Sequence, residues 1–283
     1  MDPQEQQVEA ALATAEIRHS DYEGGRLFWQ HWSAVEPPRA APLLLLHGGF
    51  GSWNHWIRNA DALRQQRDVW TLDLPGLGRS GEMPEPYSIE HFARIVLDGF
   101  DALTGANQPF ALAGFSFGAM IAGELATLAG SRCQRCTLIG AVGIAAQHVQ
   151  VDLLPLPTAD ASFEEARDIH RENLRRLMLY NIDSIDELAV HLHGDNLSRH
   201  RFRSRSLAAT NRLAELLPHI PGHLVGIWGQ KDATAGGVRA IEARRQLFQQ
   251  AQPGADFHVI PNAGHWVMYE APQSVNRVLL GDL

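Results

Sequence analysis

Along the chain, short apolar runs rich in β-branched and aromatic residues alternate with longer stretches of helical periodicity. That alternation predicts a mostly parallel sheet with helices on both faces. Residues Ala15 to Tyr22 and Arg26 to Ser33 alternate as two antiparallel strands joined near Gly24 and Gly25, and PLLLLHG follows as a buried strand. A polar loop with a helix around Trp56 to Gln66 leads to the strand DVWTLDLPG, whose proline and glycine end it. Ser88 then stands as an N-cap before Ile89, Phe92, Ile95, Val96 and Phe100, which lie on one helical face. The strand FALAGFS runs directly into the helix FGAMIAGELATLAG, and CTLIGAVG is the next strand. From about Ala145 to Leu217 the alternation stops: Pro155 and Pro157 interrupt it, and helical segments rich in Arg and His follow without a strand-like run. It resumes with HLVGIWG, a helix near Val238 to Gln250, the strand DFHVIPNAG and a last helix from Pro272 to Leu280. The expectation is an α/β core of eight strands built from residues 1–144 and 218–283, capped by a helical insertion at 145–217.

Charge and composition narrow the function classes. The 24 Lys plus Arg stand against 32 Asp plus Glu, a formal net charge of −8, which argues against nucleic acid as a partner. Hydrophobic residues make up 45% and charged residues 20%, enough to fill a core and too apolar for a disordered chain. The start, MDPQEQQVEA, is acidic and unlike a secretory signal, and no apolar run reaches the ~20 residues of a membrane helix. Two cysteines, Cys133 and Cys136, cannot form a secreted disulfide framework, so a cytoplasmic, soluble protein is expected. Their C-x-x-C spacing reads as the start of a buried strand. Neither they nor the pair His191 and His193 have the further ligands a metal needs, and no metal or organic cofactor is expected.

Four short motifs carry the chemistry. GFSFG, Gly114 to Gly118, matches G-x-S-x-G where a strand becomes a helix. A serine hydroxyl attacks well only when held exposed at a sharp turn, and small neighbours let strand and helix pass each other there. Ser116 is therefore the candidate nucleophile. His47-Gly48-Gly49 ends the strand PLLLLHG, where glycine permits close backbone approach; the N–H groups of Gly49 and Phe117 are the candidate oxyanion hole, each such donor being worth about 2.7 to 4 kcal/mol in the transition state. Asp232 follows HLVGIWG and is placed either to orient an imidazole or to cap the next helix, with Asp152 as the fallback acid. His265, in Gly264-His265-Trp266 after the last strand, lies at the carboxyl edge of the sheet, where open α/β folds bind ligands.

The chain order Ser116, Asp232, His265 is that of the α/β-hydrolase fold, and the sequence resembles that superfamily over nearly its whole length. DLPGLGRS, Asp73 to Ser80, is similar to the superfamily's D-x-P-G-x-G-x-S segment, read here as a structural glycine turn. HGGFGSW, the small-residue elbow and GHW resemble the meta-cleavage product hydrolases, which cut a carbon–carbon bond in ring-opened aromatics, and their carboxylesterase relatives. Phe50, Phe115 and Trp266 are the candidate substrate-facing residues, and the resemblance implies a lid arginine gripping a carboxylate. Arg175 and Arg176 are candidates, as are Arg199, Arg201, Arg203 and Arg205, with Arg176 the chosen one. Phe115 stands where the carbon–carbon group usually carries Asn, which keeps ester hydrolysis open. Leu177, Met178 and Leu179 are expected to add apolar walls.

The implied function is a serine hydrolase acting on a small to medium hydrophobic carbonyl substrate, either a carboxylic ester or a ring-cleavage dienoate. Dehalogenase and epoxide hydrolase chemistry would need Asp in place of Ser116. The alternatives are a cofactor-free haloperoxidase-like enzyme and a catalytically silent binding protein of the same fold. The partner expected is a small molecule, with neither nucleic acid nor membrane, and a homo-oligomer is left open.

Overall fold

The computed structural model describes residues 2–144, 149, 151–202, 207 and 210–281. Eight strands form one sheet: β1 (Glu16–Tyr22), β2 (Gly25–Trp32), β3 (Leu43–Leu46), β4 (Val69–Asp73), β5 (Phe110–Phe115), β6 (Cys133–Ile139), β7 (His223–Gly229) and β8 (Asp256–Ile260). Their spatial order is β1-β2-β4-β3-β5-β6-β7-β8. The β1–β2 and β2–β4 pairs are antiparallel, and every pair from β4 through β8 is parallel. Every residue of β3, β4 and β5 is buried, as continuous apolar runs in a sheet covered on both faces require. At the outer edge, β1 is exposed nearly throughout and carries Glu16, Arg18 and Asp21, charges that discourage pairing with another edge.

Among the described residues the α-helices in chain order are α1 (Pro3–Leu12), α2 (Ala60–Leu63), α3 (Ile89–Thr104), α4 (Phe117–Ala129), α5 (Phe163–Asn173), α6 (Glu187–Ser198), α7 (Arg212–Leu216), α8 (Val238–Ala251), α9 (Val267–Glu270) and α10 (Pro272–Leu280). Alternate residues of one strand feed two separate cores: Leu44 and Leu46 pack with Phe92, Phe100, Met120 and Phe248 on one face, while Leu43 and Leu45 pack with Trp53, Trp56, Trp266 and Leu279 on the other. Ser88 caps α3 by accepting a hydrogen bond from the His91 N–H, and α3 buries Phe92, Ile95, Val96 and Phe100 as its periodicity predicts. Cys133 and Cys136 are free thiols buried at the start of β6.

Helix α1 forms in the acidic N-terminal segment. Asp2 and Glu5 form a capping box around Pro3, and Val8, Ala11 and Leu12 pack against the second core beside α6. Between β6 and β7 lie α5, a π-helical turn at Leu174–Met178, α6 and α7. The last of these packs against α4. Arg212 pairs with Glu124 of α4 at 3.0 Å, Ala214 N–H donates to Gly143 O at 3.0 Å, and Leu213 lies so close to Gly123 that a Cβ there would meet it at 2.3 Å. Among the described residues, no helix is long and apolar enough to cross a membrane.

Candidate active site

β5 delivers Ser116 to the carboxyl edge of the sheet, and α4 starts at the next residue. Ser116 has φ 52 and ψ −113, a sparsely populated backbone state that costs a non-glycine residue about 1–3 kcal/mol and turns the side chain outward. Its N–H donates to Ile139 O at 2.8 Å, which anchors the turn to β6. The glycines around it have no room for a side chain. A Cβ on Gly114 would lie 2.3 Å from Gly118 O, and one on Gly118 would lie 2.3 Å from His47 O.

Loops after β7 and β8 bring two more side chains to the serine. His265 Nε2 stands 3.0 Å from Ser116 Oγ, and its Nδ1 stands 2.8 Å from Asp232 Oδ2. Both His265 and Asp232 are buried. Burial works against the charge on Asp232, but the His265 imidazole and hydrogen bonds from His265 and Thr234 outweigh it and hold the carboxyl below its usual range. Thr234 fixes the other carboxylate oxygen: its N–H and Oγ–H donate to Asp232 Oδ1 at 2.8 and 2.7 Å. No motif flagged Thr234, since a threonine two residues after an acid is unremarkable in sequence. Asp152, the fallback acid, is fully exposed beside Arg176.

The glycine loop after β3 is held by two buried histidines. His47 Nδ1 donates to Gly48 O at 2.7 Å, which is the assignment consistent with its Nε2 accepting the Leu74 N–H at 2.9 Å. Gly48 N–H in turn donates to His55 Nδ1 at 3.2 Å. Burial pushes His47 down to about 4 and His55 well below the normal histidine value, so both rings are neutral. A Cβ on Gly48 would lie 2.9 Å from the Phe115 ring and 3.3 Å from Ser116 Cβ, which sets the loop directly against the elbow. The N–H groups of Gly49 and Phe117 have no hydrogen-bond partner among the described residues. They remain available to a developing oxyanion.

The sequence candidates for substrate contact separate into different roles. Phe50, at φ 56, turns its ring toward His200 with centroids 4.4 Å apart. Phe115 is buried between His55 and His265, where it braces the His265 ring at 4.8 Å. Trp266 is packed rather than open: it stacks on Tyr269 at 4.2 Å, and its Nε1–H donates to His55 O at 3.0 Å. Its backbone N–H donates to Met178 O at 2.7 Å, and Met178 and Leu179 are buried in the same core with Leu177 packed on it. Arg176 is engaged by Glu172 at 2.7 Å and by Asp152 O at 3.0 Å, and no hydrogen bond joins it to the triad among the described residues. Arg175 binds Glu172 at 2.7 Å, and Arg199 binds Asp195 at 2.9 Å. Arg201 reaches Glu82 at 2.7 Å and Gly78 O at 3.1 Å. Arg203 and Arg205 lie outside the described residues.

The Asp73 to Ser80 turn has the structural role its glycines suggest. Asp73 accepts the N–H groups of Trp53 at 2.9 Å and Arg79 at 2.8 Å, and a Cβ on Gly78 would collide with Asp73 Oδ2 at 2.3 Å. Arg201, with its own N–H on Gly76 O at 3.0 Å, staples the segment after α6 to this turn.

The sequence model of the Alpha/beta hydrolase family matches residues 43–278, which span the elbow, the acid and the histidine. The chain belongs to the α/β-hydrolase family. It is an enzyme of the hydrolase class. It is 30% identical over 275 residues to the dihydrolipoyllysine-residue acetyltransferase component of the acetoin cleaving system of Pseudomonas putida, covering 92% of this chain and 67% of that one. It is 26% identical over 279 residues to a 2-hydroxy-6-oxononadienedioate/2-hydroxy-6-oxononatrienedioate hydrolase of Paraburkholderia phymatum, covering 91% of this chain and 92% of the relative. The fold also superposes on carboxylesterase CesB from Bacillus subtilis with a TM-score of 0.69 at 20% identity, over 98% of this chain and 96% of that one.

Proposed function

We propose that this α/β-hydrolase cleaves neutral carboxylic esters with small to medium hydrophobic acyl groups. Ser116 attacks the ester carbonyl carbon as His265 Nε2 takes its proton, and Asp232, steadied by Thr234, stabilises the imidazolium. The N–H groups of Gly49 and Phe117 receive the oxyanion. The alcohol leaves with the proton from His265, and water, activated by the same imidazole, releases the acid. Its partner on this reading is a small molecule, and two buried free cysteines support a reducing, cytoplasmic setting.

The observation that favours esters over the dienoate is the pairing of the cap arginines. Arg175, Arg176, Arg199 and Arg201 are each held by a carboxylate of the protein itself. For any of these four to grip a substrate carboxylate, one of these pairs would have to break. The test is kcat/KM for a ring-cleavage dienoate and for its neutral methyl ester beside p-nitrophenyl esters of graded acyl length. Neutral esters are expected to win, with Arg175→Gln, Arg176→Gln, Arg199→Gln and Arg201→Gln leaving their order unchanged. Preference for the dienoate acid, lost in one arginine variant, overturns the ester reading. Ser116→Ala is expected to keep its fold, lose more than about a thousandfold in kcat and no longer label with a fluorophosphonate. Substantial residual turnover in the folded variant would remove Ser116 from the mechanism.

Similarity to an acetyltransferase component over 92% of this chain favours a second outcome for the same acyl-enzyme, transfer to a thiol. Adding a dithiol during ester turnover distinguishes the two fates: thioester product marks transfer, and free acid alone marks hydrolysis.

A further inference from the structure

Helix α6 crosses above the loop that follows the oxyanion glycines, and one of its faces is fixed there by two contacts. Asn196 and Asn54, both buried, exchange amide hydrogen bonds at 3.0 and 2.8 Å. Just beyond the helix end, the His200 ring lies 4.4 Å from that of Phe50, the residue after Gly49. Positions three or four apart share a helical face, so His193 lies on the same face of α6 as Asn196 and is directed toward the same loop. On its other side the His193 ring meets His170 of α5 edge-on at 5.5 Å. His193 itself is half-buried.

These two imidazoles have polar atoms that the fold leaves unmet. No hydrogen bond to either ring nitrogen of His193 occurs among the described residues, and His200 Nε2 is buried without a partner. His47, His55 and His265, in contrast, have their ring contacts assigned within the site. For His200 Nε2, an unmet buried polar atom is unfavourable, and a ligand that supplies the missing partner removes that penalty, while the ring nitrogens of half-buried His193 are open to such a partner. Burial pushes His193 down to about 3 and also lowers His200, with Arg201 adding to the shift, so both rings are neutral. A neutral imidazole offers one donor and one acceptor and no charge, which suits a ketone or hydroxyl and not a carboxylate.

We propose that His193 and His200 are specificity-determining residues that hydrogen-bond an oxygen function, ketone or hydroxyl, on the acyl group, and that oxygenated acyl esters are the preferred substrate class. The inference rests on the serine-hydrolase reading and deepens it. The acyl group stays bound through both half-reactions, so a cap contact to it acts on acylation and deacylation alike.

The experiment compares p-nitrophenyl 3-, 4- and 5-oxoacyl esters with their hydrocarbon isosteres, in wild type, His193→Leu, His193→Gln and His200→Leu. Wild type is expected to prefer the oxo ester by at least about tenfold in kcat/KM at one or more positions, since a site that hydrogen-bonds its substrate rejects the analogue lacking that group. The preference should fall toward the intrinsic reactivity ratio of the two esters in His193→Leu or His200→Leu and be partly restored in His193→Gln. Fluorophosphonate labelling of Ser116 at the wild-type rate shows that each variant retains a working triad. Absence of an oxo preference in wild type, or a preference that survives both leucine variants, overturns the inference while leaving ester hydrolysis standing. Failure of wild type to label or to turn over any ester overturns the hydrolase reading and this inference with it.

Discussion

At the residue scale, the least conspicuous part of the site is Thr234, which gives Asp232 Oδ1 two donors and leaves Oδ2 directed at His265. Thr234→Val removes one of them while preserving shape. A three- to tenfold loss of kcat with little change in KM is expected, about 1 kcal/mol and the ordinary worth of one hydrogen bond. Thr234→Ser should recover most of it, and a Val variant with wild-type kcat would show that the hydroxyl has no part in orienting the acid. Legibility at this scale follows from backbone constraint. Ser116 stands out because Gly114 and Gly118 abut carbonyl oxygens at distances no side chain tolerates, so the turn writes itself into the sequence. Thr234 and His55 leave no such mark, because their roles depend on partners brought in from other segments.

At the scale of elements, the strand alternation and the periodicity of α3 were readable because each is a local pattern that one buried face imposes. What joins the cap to the core was not, since those contacts span large sequence separations. The pair Asn54 and Asn196 lies 142 residues apart and is buried. Asn196→Leu strands the Asn54 amide without partners, so a loss of about 1–3 kcal/mol is expected from urea unfolding. Replacing both by Leu should be less destabilising than the sum of the two single changes, because no orphaned amide remains. Simple additivity in that cycle would mean the two amides do not depend on each other. The cap arginines teach a related point. Their density suggested an anion grip, but acids on the same helical stretch or across the cap interface neutralise each described one, as i,i+3 and i,i+4 spacing often does.

For the whole molecule, Asp73 couples stability to pH. Burial raises its pKa to about 6, although the Arg79 and Trp53 N–H groups pull it down. The native state therefore binds more protons than the unfolded chain between about pH 4 and 6, and this contribution to stability decreases as pH rises through that window, by up to about 3 kcal/mol. Asp232 acts in the opposite sense: with its pKa lowered on folding, its contribution is present above about pH 4 and is lost as pH falls below. Urea unfolding of wild type and Asp73→Asn from pH 4 to 7 checks the first statement. The asparagine variant should lose the downward component of the slope, and identical slopes would contradict it. By itself the amino-acid sequence determined the strand and helix order, the elbow and the chain order of serine, acid and histidine, because each depends on local sterics or on a periodic buried face. Only the tertiary structure decided that α1 packs beside α6, that α7 packs on α4, that the described arginines between β6 and β7 are already paired, and that His200 Nε2 is buried without a partner. Those outcomes depend on which distant side chains meet in three dimensions, and that information is spread across the chain rather than held in any one segment.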